Sequence, residues 1–137
     1  MQHLTHSEYL AQNQEYKETL KEQERRRRNH QSYRTSNPSK YMLTRIRNSA
    51  RDRGLDFNLE LEDLVVPEVC PILGLPFDYD SPHYTPSVDR LDNNKGYIKG
   101  NIVIMTTLAN RMKFQADFKV WRLFAEGTIK FLNEKGL

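Results

Sequence analysis

The chain has 137 residues, with 21 Lys and Arg against 18 Asp and Glu, a formal charge of +3 and a pI near 9.0. That length fits one domain with an added arm, and a hydrophobic share of 37% allows only a modest core. No apolar run is long enough to span a membrane, the first ten residues lack a signal-peptide pattern, and the single cysteine, Cys70, fits a reducing compartment. A small, soluble, intracellular and mildly basic protein is predicted.

The charge is unevenly spread. Residues 25–53 hold ten basic side chains against the single acid Asp52, a net of +9. Residues 57–137 hold nine basic groups and eleven acids, and residues 1–24 are acidic. A basic belt of this density either forms a solvated helix face or meets a polyanion. Mutual repulsion without a counter-anion favours nucleic acid.

Residues 7–28 read as a polar helix: they lack Gly and Pro, Glu and Lys alternate at i,i+4 spacings, and Tyr9, Leu10, Tyr16 and Leu20 make no continuous stripe. Residues 29–39 (NHQSYRTSNPS) read as a linker rich in turn formers. A second helix is predicted over 39–53, with Tyr41, Leu43, Ile46 and Ala50 as its apolar face and Gly54 as its stop. Phe57 and Leu59 suggest a short strand and residues 60–64 a helical turn. Pro67 and Pro71 bracket Cys70 in an extended loop. Residues 101–106 (NIVIMT) are the strongest strand, residues 87–91 a weaker one, and residues 92–96 (DNNKG) a turn between them. Helices are expected over 108–114 and 117–133. In the latter, Trp121, Phe118 and Phe124 read as core in preference to a base-stacking platform.

The order strand, loop, strand, helix in SVDRLDNNKGYIKGNIVIMTTLANRMK, preceded by NLELEDL and CPILGLPF, resembles the ββα-metal finger of the HNH endonuclease family, in its phage-type branch with Asp-Arg in place of Asp-His. The resemblance covers about residues 38–115. It implies an α+β fold: a mainly helical small domain over 38–137, with the finger at about 87–114 and a C-terminal helix at about 117–133. Residues 1–37 form an N-terminal polar and basic arm with its linker. It further implies that Asp89 and Asn110 hold one Mg²⁺ or Mn²⁺ ion, hard oxygen donors for a hard cation, and that Asn101 ties down the loop.

Two departures stand out. The family's general-base histidine is replaced by Arg90, which stays protonated and suits a phosphate clamp instead of a base. His83 is the first candidate to replace the base if its loop folds back over the strand. Tyr84, Tyr97 and Asp92 are weaker candidates, and an exposed loop histidine is the bland alternative. The positions of a structural zinc in related proteins are occupied by Cys70, Leu73, Thr106 and Ala109, so no structural zinc is expected and Cys70 reads as a small buried hydrophobe.

The resemblance therefore implies a metal-dependent endonuclease that nicks or cuts DNA. The alternative is a weak or silent DNA-binding protein on the same scaffold. Candidate DNA contacts are Arg25, Arg26, Arg27 and Arg28 on the arm, Arg45, Arg47, Arg51 and Arg53 on the second helix, and Arg111 and Lys113 beside Asn110, the last two with a solvated helix end as the alternative. Expected partners are DNA and no membrane, with the N-terminal helix a candidate surface for a second copy or another protein. The expected location is the cytoplasm of a bacterial host.

Overall fold

Pro38 divides the chain. It cannot continue a preceding helix but suits the first turn of a new one, and the chain forms two units, Met1–Ser36 and Asn37–Leu137. The computed structural model describes Thr5, Ser7, Glu8 and residues 14–137. In the first unit, Ser7 and Glu8 are helical, and helix α1 runs over Gln14–Ser36. The predicted linker is thus helical as far as Ser36. Polar turn formers do not stop a helix that contains no proline, and Thr35 folds its hydroxyl back onto the Gln31 carbonyl at 2.9 Å. Tyr9 and Leu10 lie outside the described residues.

In the second unit, α2 (Pro38–Arg53) buries Met42, Ile46 and Ala50, an i, i+4, i+8 row. The predicted face therefore shifts: Met42 joins the core, while Tyr41 and Leu43 are only partly buried. Gly54 ends the helix at φ 63°, its N–H reaching the carbonyls of Ala50 and Arg51. The short strand expected at Phe57 and Leu59 reduces to one bridge between Phe57 and Tyr97, followed by a 3₁₀ turn over Leu61–Asp63. The Cys70 loop is a tight turn, not an extended segment: Gly74 N–H donates to the Cys70 carbonyl, and Cys70 N–H to that of Leu75, both at 2.8 Å.

Strands β1 (Pro86–Arg90) and β2 (Ile102–Thr106) pair antiparallel, with Asp89 opposite Val103. Helix α3 (Thr107–Lys113) follows without a loop, capped by the Thr106 hydroxyl, which accepts from Ala109 N–H at 3.2 Å. Helix α4 (Phe118–Lys135) starts at Asp117, whose carboxylate accepts from Val120 N–H. The described residues thus form a small α+β structure with four α-helices and one two-stranded antiparallel sheet. None of these helices is long and apolar enough to cross a membrane.

Strand alternation sorts the core into two clusters. Val88, Ile102 and Ile104 turn toward α2, with Leu59, Leu64 and Tyr97. Val103 and Met105 turn the other way, toward Cys70 and Ala109, with Phe118 and Trp121 packed alongside. The rest of the apolar surface of α4 is largely exposed: Phe124, expected in the core, is 59% exposed, and Val120, Leu123, Ile129 and Phe131 are also exposed.

Candidate functional site

Ser87 and Asp89 share the β1 face opposite the one that buries Val88 and Arg90. On α3, Asn110 and Lys113 are three residues apart and therefore also share a face. The two pairs meet: Asn110 Nδ2 donates to Ser87 Oγ at 2.8 Å, and Lys113 Nζ lies 2.8 Å from Asp89 Oδ2. A strand of period two and a helix of period near four thus bring Asp89 and Asn110 to one surface. They line an open cleft of about 560 Å³ together with Arg53, Arg90, Asn93, Tyr97, Phe114 and Gln115.

Lys113 departs furthest from its sequence reading. Neither the DNA contact expected of it nor its alternative, a solvated helix end, is found, because the position is interior: its side chain has 0% exposure and that of Asp89 12%. Lys113 Nζ also lies 4.9 Å from the centre of the Phe118 ring. Neither Nζ nor Asp89 Oδ2 has a well-directed hydrogen bond. The charges meet as an ion pair with spare bonding capacity on both sides, an uncommon state for buried polar groups.

The loop between the strands is held by side chains acting on backbone. Asn101 is buried; its Oδ1 accepts from Asp92 N–H at 2.9 Å, and its Nδ2 donates to the carbonyls of Asp92 and Gly96 at 3.1 and 2.9 Å. Arg90 Nη1 donates to the carbonyls of Asn93 and Lys95 at 2.9 and 2.8 Å, with its guanidinium over the Tyr97 ring. Gly96 is required at its position because a Cβ would overlap the Asp56 carbonyl. The Asn94 backbone N–H on Asp92 is the main influence holding that carboxyl below its usual range. Lys99 bonds to Glu60 at 3.2 Å, which raises its ammonium above the usual range with help from Asp63.

His83 is not part of this assembly. It is exposed, and its carbonyl accepts from Leu108 N–H at 2.7 Å, beyond the Pro86–Thr106 end of the sheet and away from the Asp89 end. The fold-back over β1 that would make His83 a candidate base does not occur. Tyr84 and Asp92 also do not line the cleft, whereas Tyr97 does.

The basic residues fall into separate settings. Arg25 and Arg26 pair with Glu22 on α1 at 2.8 and 2.9 Å, and Arg27 and Arg28 are exposed there. On α2, Arg45 bonds the Tyr41 hydroxyl, Arg47 lies over Phe57, Arg51 pairs with Asp52, and Arg53 reaches the cleft. Arg111 is exposed on α3.

The four positions read as the remains of a zinc site also converge. Thr106 N–H donates to Cys70 Sγ at 3.3 Å, Ala109 is buried in the same cluster, and Leu73 packs against it. Burial is the largest influence on the Cys70 thiol and pushes it up. The backbone N–H groups of Leu73, Thr106 and Ile72 together outweigh burial and hold the thiol below its ordinary range.

Sequence reasoning missed the Ser87–Asn110 and Asp89–Lys113 pairs and the lining residues Asn93, Phe114 and Gln115. The first two were accessible from spacing, i,i+2 on the strand against i,i+3 on the helix.

No protein-family profile matches the chain, and no solved structure does. Over 87 residues it is 34% identical to an uncharacterized 29.0 kDa protein in the dda-modA intergenic region of Enterobacteria phage T4. The match covers 61% of this chain and 34% of the relative, so the chain spans about a third of the length of the protein it matches. The chain is thus similar, over most of its length, to part of a phage protein.

Proposed function

We propose that the chain is a divalent-metal-dependent DNA endonuclease of the HNH type. The observation that carries the reading is the convergence of Asp89 and Asn110, from two different elements, on one polar cleft whose lining also includes Arg53. Their donor chemistry fits a hard cation: a carboxylate oxygen, Asp89 Oδ1, and an amide oxygen, Asn110 Oδ1, have no hydrogen-bond partner among the described residues, while Ser87 fixes the Asn110 amide through Nδ2. Mg²⁺ or Mn²⁺ held there supplies charge stabilisation for the phosphorus-centred transition state and the departing 3′-oxygen.

The chain's own side chains do the rest. Asn101 fixes the loop that borders the cleft, and Arg53 is the guanidinium best placed for a phosphate. Arg90 cannot take a proton, and its Nη1 retains the loop carbonyls. In hydrolysis, a water oxygen bonds to phosphorus, the bond from phosphorus to the 3′-oxygen breaks, and a 5′-phosphate and a 3′-hydroxyl remain. Among the described residues no imidazole lines the cleft and Asp89 is its only carboxylate, so the water proton passes to base in solution and the departing 3′-oxygen takes a proton from solvent.

Nicking of supercoiled plasmid in Mg²⁺ or Mn²⁺, set against EDTA, tests the reading. Asp89→Asn and Asn110→Ala should each lower the rate by about 10²-fold or more, while His83→Ala leaves it unchanged. Full activity in either of the first two variants would remove the site.

A second reading, a DNA-binding protein without catalysis, is favoured by one observation: the Lys113 ammonium already sits on the carboxylate a cation would use. DNA retention with no nicking in any divalent cation would select it.

A further inference from the structure

Resting on the nuclease reading, we infer that Lys113 is an internal counter-ion that couples divalent-cation binding in the cleft to nucleic-acid binding. Asp89 is the only acid lining the cleft among the described residues, and Lys113, completely buried behind it, cancels that charge at 2.8 Å. A divalent cation approaching Asp89 Oδ1 therefore meets a neutral pair plus one amide oxygen. It also meets a fixed positive charge a few ångströms away in a poorly screened position.

Lys113 cannot swing out to relieve this repulsion without crossing the Phe118 ring and the β1–α3 contact that enclose it. A phosphodiester entering the cleft changes the sum: its negative charge offsets the ammonium and offers the cation a further oxygen. Cation and nucleic acid then bind together better than either binds alone, and the coupling acts equally in both directions. A lysine serving only to fill space or fix α3 would add nothing to that coupling, which removal of its charge would then leave unchanged.

Mn²⁺ binding, followed by the electron paramagnetic resonance of the free ion, measures this without reference to cleavage. The titration is run with and without a short DNA duplex, and Asp89→Asn with the same duplex supplies the background of ions held by DNA alone. The wild-type protein should bind Mn²⁺ weakly, and the duplex should tighten it.

Lys113→Met should bind Mn²⁺ about tenfold more tightly than wild type in the absence of DNA and gain less from the duplex. Lys113→Gln keeps a donor toward Asp89 Oδ2 without the charge and should behave likewise, which covers the case in which the methionine variant does not fold. Unchanged Mn²⁺ affinity in a folded variant of either kind would overturn the inference. If neither wild type nor variants bind Mn²⁺ beyond the Asp89→Asn background, the metal site itself falls, and the nuclease reading with it.

Discussion

Helix α3 serves two neighbouring sites built on opposite terms. At one, the Cys70 thiol is enclosed by Met105 and Ala109, accepts a hydrogen bond from Thr106 N–H, and faces the backbone N–H groups of Leu73 and Ile72. At the other, Asp89 and Lys113 hold each other with no further well-directed bond, at the edge of an open polar cleft. The first is a satisfied interior, in which a soft donor has become part of the packing. The second keeps unused donor and acceptor capacity buried beside a cleft that solvent and ligand can reach. Unused polar capacity is costly in a folded protein unless something else draws on it, and on this difference rests the proposed functional face.

Substitutions on the two sides should differ in kind. Asp89→Ala leaves the Lys113 ammonium buried without a counter-charge and should cost about 3–5 kcal/mol of stability. Chemical denaturation would show it, and a loss below about 1 kcal/mol would mean that Lys113 finds water or another partner. Asn101→Ala removes one acceptor and two donor contacts from the loop and should cost about 2–3 kcal/mol. It should also loosen the amides of residues 92–96, read by hydrogen exchange.

Cys70→Ala should be milder, about 1–2 kcal/mol, the cost of a small void, and it carries a sign with pH. The folded thiol titrates below its unfolded value, so the associated stabilisation is present above the ordinary thiol range of about 8.5 and lost as pH falls through the folded value. The gap in melting temperature between wild type and Cys70→Ala should therefore widen from neutral pH to above about 9. A gap that narrows would invert the account of the thiol. Phe114, at φ 52° and 75% exposed at the cleft, carries backbone strain without much burial. Phe114→Gly should be neutral to about 1 kcal/mol stabilising in thermal melts, and a clear destabilisation would show that the ring packs.

Much of the scaffold was legible in the sequence because it follows from local rules. The β2 run, the Pro38 start and Gly54 stop of α2, and the turn between the strands rest on branched apolar residues, a fixed φ and a left-handed glycine. What was not legible depended on tertiary placement. The end of α1 moved past the supposed linker because Asn, Ser and Thr weaken a helix without breaking it. The apolar residues of α4 read as core, yet only Phe118 and Trp121 find a partner surface among the described residues. At the site, Asp89 and Asn110 could be named from their motif, and spacing could have paired each with its neighbour. That Lys113 turns inward could not be read from a basic helix end, where a solvated side chain is the ordinary outcome.

The central claim is that Asp89 and Asn110 share one divalent cation. A crystal of the protein with a DNA duplex, soaked in Mn²⁺ and measured for anomalous scattering, tests it most directly. The account predicts a peak at about 2.0–2.2 Å from Asp89 Oδ1 and the Asn110 amide oxygen, the distance expected of such an ion at oxygen ligands, with a phosphate oxygen beside it. A peak bound only elsewhere, or an Asp89–Lys113 pair with DNA in the cleft and no ion against it, would contradict it.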